Sequence, residues 1–243
     1  MESALGGAAE ARSVDAGRGL SWWSEGWTLF TRNAGMWIVL SLVLLVISIV
    51  LSVIPIIGGL ALAVLFPVFM GGWMMAAAKQ EAGGALEVGD LFLGFKDKLS
   101  PLAVIGALTL VASIIIMIIV WVLGLGAFFG ILAGGSRGSG GGIIAGLLSG
   151  LVAIVLCLGV GFIFGMALWF APALVVFDDV APVDAMKASF AASLKNIVAF
   201  VLFGVIYIVL SIVASIPFGL GWIVLIPVLL LTAYTSYKDV FAR

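Results

Sequence analysis

The side chains able to do chemistry in this sequence are twelve carboxylates, eleven Lys and Arg residues and one cysteine; there is no histidine. Hydrolysis needs a nucleophile with a base beside it, or a metal. The absence of His and the single Cys157 exclude an intrachain disulfide framework and the usual His/Cys zinc constellations. Asp178 and Asp179 form the only tight acidic pair, and as neighbours they diverge by about 100° on a helix, so they do not converge on one substrate atom. They read as a solvated span end. Cys157 lies inside an apolar run and reads as a buried packing thiol. The expectation is therefore no enzyme and no catalytic, cofactor-binding or metal-binding residue.

The elements that carry these residues are set by composition. The chain of 243 residues is 64% hydrophobic and 9% charged, against about 45–50% apolar residues in a soluble domain. Its mean hydropathy is +1.37. Several runs exceed the roughly 18 apolar residues that cross a hydrocarbon layer as helix. The ten-residue alternation of a membrane β-barrel is absent. The fold class is all-α: a polytopic membrane protein of six transmembrane helices arranged as three helical hairpins, each preceded by an amphipathic helix on the cytoplasmic side.

Residues 1–20 mix Ala, Gly, Ser and charges, without the basic start and apolar core of a signal peptide, and predict a disordered cytoplasmic tail. Residues 21–243 then form one six-span domain of repeat-like hairpins, 21–79, 80–179 and 180–243. In the first, Trp23, Trp27 and Phe30 at i, i+4 and i+7 predict an interfacial helix. Spans follow at about 36–54 and 60–78, joined by a tight turn at Pro55, Gly58 and Gly59. A second interfacial helix is expected over 79–101, with Leu91, Phe92, Phe95 and Leu99 on its apolar face. A third carries Met186, Phe190 and Leu194. Spans five and six are expected at about 197–214 and 222–236.

Residues 30–67 and 190–227 read as an internal repeat. Each leads from an aromatic-bearing amphipathic stretch through a long apolar run and a Gly/Pro break to a second apolar run, and each covers the same 37-residue separation. Pro67 and Pro227 stand at matching places and, with Pro172 near the end of span four, predict helix kinks, because proline frees a carbonyl one turn earlier.

Spans three and four, about 102–133 and 143–177, are too long for one bilayer crossing. Gly126, Gly130 and Gly134 mirror Gly142, Gly146 and Gly150 about Gly138, each set at four-residue spacing. That spacing puts a groove on one helix face that admits close backbone approach, so these six glycines are the predicted helix-packing residues. A re-entrant or interfacial pair, or two extra short spans, are the alternatives.

Six spans place both termini on one side. Ten of the eleven basic residues lie there, with only Arg137 opposite, and the positive-inside rule makes that side cytoplasmic. All twelve carboxylates lie there too.

The words GWTLF (26–30), LFLGF (91–95), APALVVFDD (171–179), AMKASF (185–190), LGW (220–222), IPV (226–228) and SYKDVF (236–241) resemble an uncharacterised family of bacterial multi-span inner-membrane proteins. More distantly they are similar to the membrane domain attached to some glycerophosphodiester phosphodiesterases. The resemblance covers about residues 21–243, implies a bacterial cytoplasmic-membrane location and supplies no catalytic residues. The sequence departs from it at NAGMW (33–37), where a proline is expected after the asparagine.

Coupled transporters keep ionisable groups inside their spans, and these spans hold essentially none. The expected function is a scaffold or partner-binding membrane protein without catalytic machinery; the alternative is passive transport or handling of a lipid or a small apolar or amphipathic solute. The expected partners are membrane lipids and a second copy or another membrane protein, with no nucleic acid and no cofactor.

Overall fold

The computed structural model describes residues 10–136 and 140–242; Arg137 and Gly138 lie outside the described residues. Every regular element among them is helical: α1 (Arg18–Arg32), α2 (Ala34–Ser52), α3 (Ile57–Glu81), a 3-10 turn (Val88–Phe92), α4 (Leu93–Asp97), α5 (Leu99–Ser136), α6 (Gly140–Trp169), α7 (Ala171–Phe177), α8 (Pro182–Lys195), α9 (Ile197–Ser215) and α10 (Trp222–Val240). Among the described residues, six helical stretches are long and apolar enough to cross a membrane. The chain divides into two compact units, one built from residues up to Ala107 and from Met166 onward, the other from Leu108–Gly165.

In the first unit the core lies where α1, α3 and α10 meet their neighbours. The buried stripe of α1 is Trp22, Trp23, Gly26, Leu29 and Phe30, set one step round the helix from the expected face, and Trp27 is exposed. The helix is thus a packed core element. Trp23 stacks on Phe203 of α9 at 4.8 Å. Gly26 sits so close to α10 that a Cβ there would meet the Thr232 side chain at 3.0 Å, and one on Gly19 would meet the Ala199 carbonyl oxygen at 2.2 Å.

Residues 10–17, expected within a disordered tail, are instead tied down. The Arg12 amide donates to the Val240 carbonyl at 2.9 Å, and the Val14 amide donates to Asn196 Oδ1 at 2.8 Å.

Helix α2 buries only Trp37, Leu40 and Leu44, a single stripe at i, i+3 and i+7 that leaves most of an apolar helix uncovered, as lipid-facing helices are. The Trp37 indole N–H donates to Gln80 Oε1 of α3 at 3.0 Å. The turn between them is tight: Ile56 adopts φ 63°, and Gly58 lies against the Leu51 carbonyl. Pro67 and Pro227 are buried inside α3 and α10, which continue through them as helix.

The segment 79–101 is not one amphipathic helix. Helix α3 runs on to Glu81, and the remainder breaks into the 3-10 turn and α4. Glu87 and Asp90 form a reciprocal capping box at the turn. A Cβ on Gly72 would meet the Leu91 carbonyl oxygen at 2.1 Å, and one on Gly94 would meet that of Val68 at 2.2 Å. Such close backbone approach holds the short pieces on α3, and Leu99 is left exposed at the start of α5.

Between α6 and α7 the helix is interrupted at Phe170, and Pro172 stands in the first turn of the new helix. Proline disfavours the helical conformation of the residue before it and removes an amide donor. The break falls at Phe170, two residues before Pro172.

The second unit consists of the distal parts of α5 and α6. Cys157 is exposed on it, which corrects the expectation of a buried thiol: it faces outward among apolar neighbours.

Candidate functional site

Two places in the chain gather residues in arrangements that bear on function, one in each unit.

In the first unit, charged side chains distant in sequence converge where α1, the end of α3 and the end of α10 come together. Tyr234 and Lys238 stand at i and i+4 on α10, so one face presents both to Glu81. The Tyr234 hydroxyl donates to Glu81 Oε2 at 2.7 Å, and Lys238 Nζ donates to Glu81 Oε1 at 2.5 Å. One residue on, Asp239 is buried and accepts from three side chains: Trp22 Nε1 at 2.9 Å, Arg18 Nε at 2.5 Å and Arg12 Nη2 at 2.7 Å. Arg12 Nε also donates to the Asp239 carbonyl oxygen at 2.6 Å. The second arm of Arg18 reaches Glu25 Oε1 at 2.8 Å. Its hydrogen bond to Asp239 holds the Arg18 guanidinium protonated even more firmly than usual.

These residues border a cavity of about 550 Å³ lined by Arg12, Arg18, Arg32 and Lys238 on the cationic side and by Glu25, Glu81 and Asp239 on the acidic side. Arg32 forms no ion pair with any described residue.

Asp178 and Asp179 separate as their adjacency requires. Asp178 accepts from the Tyr237 hydroxyl at 2.6 Å, while Asp179, at φ 54°, pairs with Lys98 of the α4–α5 junction. Among the described residues no group of three potential metal ligands converges.

In the second unit the mirrored glycines face one another. A Cβ on Gly130 would meet the Gly146 Cα at 3.1 Å, and one on Gly142 would meet the Gly134 Cα at 2.7 Å. Toward the other end the approach relaxes: a Cβ on Gly126 would be 3.5 Å from the Ser149 hydroxyl oxygen, and one on Gly150 would be 3.7 Å from the Ala127 Cβ. The Ser149 hydroxyl donates across the pair to the Leu123 carbonyl at 2.8 Å. Away from this seam the surface is apolar and open, with Phe128, Phe129, Ile144 and Leu147 each about 60% exposed.

Sequence reasoning singled out the glycines and prolines and missed the ionic cluster. Glu81, Asp239 and the two arginines lie up to 227 positions apart, and each reads locally as part of a solvated helix end. The one available signal was the spacing of Tyr234, Lys238 and Asp239, which puts polar groups on a turn of α10 that also has apolar flanks.

No family model matches the chain, and no solved structure matches it. A curated relative, a probable inner membrane protein of Burkholderia thailandensis, is 27% identical over 224 residues, covering 86% of this chain and 78% of the relative. With the six long apolar helices, this makes the chain an integral, multi-pass inner-membrane protein.

Proposed function

We propose that this protein is a non-catalytic membrane scaffold that engages a partner, either a second copy or another membrane protein, through the long apolar helix pair formed by α5 and α6. The observation that carries this reading is the length of that pair. The apolar stretch of α5 runs to 37 residues, about 55 Å at a rise of 1.5 Å per residue, and α6 runs 30 residues, about 45 Å, before the break at Phe170. The hydrocarbon layer is about 30 Å thick. Fitting either helix into it by tilt alone takes at least about 48°, beyond the usual range of up to about 40°. Apolar surface of this extent normally marks an interface. The glycine seam holds the two arms against each other and leaves their outer faces for the partner.

In the proposed arrangement the six helices form three hairpins, and both termini are cytoplasmic, because the basic residues crowd the side on which they lie. The likeness to the membrane domain of some glycerophosphodiester phosphodiesterases contributes no catalytic group to this reading.

Photocrosslinking in intact membranes tests it. A photoreactive residue at Phe129 or Leu147 is expected to give discrete protein adducts, whereas one at Val205 or Val209 of α9 gives lipid adducts. Lipid adducts alone at all four positions would refute the scaffold.

A second reading, passive handling of a lipid or amphipathic solute, is favoured by a cavity of about 320 Å³ lined mainly by Ala78, Phe177, Tyr234 and Tyr237. Solute flux or lipid flip in liposomes, lost on filling that cavity with Ala78→Phe, is its signature.

A further inference from the structure

We infer that the ionic cavity of the first unit is a binding site for a phosphate-bearing anion, with Arg32 as its principal contact. The inference rests on which hydrogen-bonding capacity around the cavity is spent. Both oxygens of Glu81 are occupied, by Tyr234 and Lys238. Both oxygens of Asp239 are occupied, by Arg12, Arg18 and Trp22. Glu25 has one oxygen engaged by Arg18. The three carboxylates thus accept six side-chain hydrogen bonds, about half of their lone-pair capacity, while the unspent donors outnumber the acceptor sites that remain.

An arginine carries five N–H donors and a lysine three, none of which accepts. Arg12 and Arg18 each use two nitrogens within the cluster, and Lys238 makes one hydrogen bond to a carboxylate. The Arg32 guanidinium is exposed and pairs with no described carboxylate. Four cations against three carboxylates line the space, so the site as built carries a formal charge of +1. A ligand that fits must bring acceptors and negative charge. The planar guanidinium fork matches two phosphate oxygens at once, and a volume of about 550 Å³ is ample for a phosphate with its ester substituent.

The position of the cavity beside Trp27 favours a headgroup. Thr28 and Arg32 of α1 line it, and the adjacent Trp27 is half exposed, as tryptophans are where chain meets the lipid–water boundary. A diester phosphate of a lipid and a water-soluble phosphate share the chemistry recognised here.

The test uses the full chain in detergent, titrated separately with phosphatidylglycerol and with inorganic phosphate. Saturable binding of either is expected, weakened about tenfold by Arg32→Ala, the loss of one charge-assisted pair, and weakened less by Arg32→Lys. Lys187→Ala, which removes an exposed charge paired only with Asp184, is expected to leave binding unchanged. Lipid binding that inorganic phosphate does not displace assigns the site to a headgroup; phosphate binding with the same Arg32 dependence assigns it to a soluble ligand. The inference is overturned if neither probe saturates, or if Lys187→Ala weakens binding as much as Arg32→Ala. Intact folding of the Arg32 variants is checked by their melting temperature, since Arg32 makes no ion pair with a described residue and its charge acts only at longer range on Glu81.

Discussion

The Ser189 hydroxyl, reaching in from α8, accepts the Phe170 amide at 3.0 Å. The same hydroxyl donates to the Met166 carbonyl at 2.7 Å, so one side chain stands in for the intrahelical hydrogen bond that would have joined residues 166 and 170. Interrupted helices in membrane proteins need such a substitute, because freed backbone groups find no water there. Ser193 contributes a second, longer contact to the same carbonyl at 3.3 Å.

Ser189→Ala removes the bridge and leaves a buried amide and a half-satisfied carbonyl. Stability in detergent is expected to fall by about 1–3 kcal/mol, the cost of unsatisfied buried polar groups. An unchanged melting temperature would mean that Ser193 alone suffices to close the break.

Asp239→Asn takes the charge from the centre of the ionic cluster and leaves Arg12 and Arg18 without their common partner. The pair is buried on one side only, since the Arg12 side chain is 54% exposed, so the expected loss is about 2–4 kcal/mol, below that of a fully buried pair. Released from Asp239, the segment around Arg12 is also expected to be cut by trypsin faster than in the unaltered chain. Equal cleavage rates would show that the contacts to Val240 and Asn196 hold it unaided.

Gly134→Ala and Gly124→Ala separate close packing from helix propensity. A Cβ at Gly134 would lie 2.5 Å from the Ile143 amide nitrogen, whereas one at Gly124 meets nothing within 4 Å. Gly134→Ala is expected to destabilise the helix pair, and Gly124→Ala to stabilise it by about 0.5–1 kcal/mol through reduced chain entropy. Similar melting shifts for both would remove the glycine seam as the reason the arms approach.

Cysteine scanning in a Cys157→Ser background tests the orientation. A membrane-impermeant maleimide added outside is expected to label Gly140→Cys and to spare Asp184→Cys, which is exposed on the opposite side in the proposed topology. Labelling of position 184 from outside would invert it.

The six apolar helices were legible because crossing a bilayer demands an uninterrupted apolar run, and such a run is visible without its neighbours. The buried face of α1 was not. Periodic aromatics suggested Trp23, Trp27 and Phe30, but Gly19 and Gly26 let α1 approach the backbones of α9 and α10, and glycine carries no hydropathy signal of its own. The broken form of 79–101 escaped for a similar reason, since its apolar spacing fits a helix while Gly72 and Gly94 dictate a tight approach that a full helix does not take. The ionic cluster was hidden by distance along the chain: the partners of Asp239 are Arg12, Arg18 and Trp22, and no local pattern links them.

The pairing of Arg12 with Asp239 spans 227 positions, which gives it a place in time as well as in space. At a synthesis rate of about 5–20 residues per second, the arginine waits some 10–45 s for its acid to leave the ribosome. Throughout that interval Arg12 lacks its acid, while Arg18 has Glu25 at hand only seven positions on. Once α10 is in place, the single carboxylate of Asp239 draws both guanidinium groups to it. The tie between the segment around Arg12 and the helix that carries Asp239 is therefore one that only a chain synthesised as far as α10 can make.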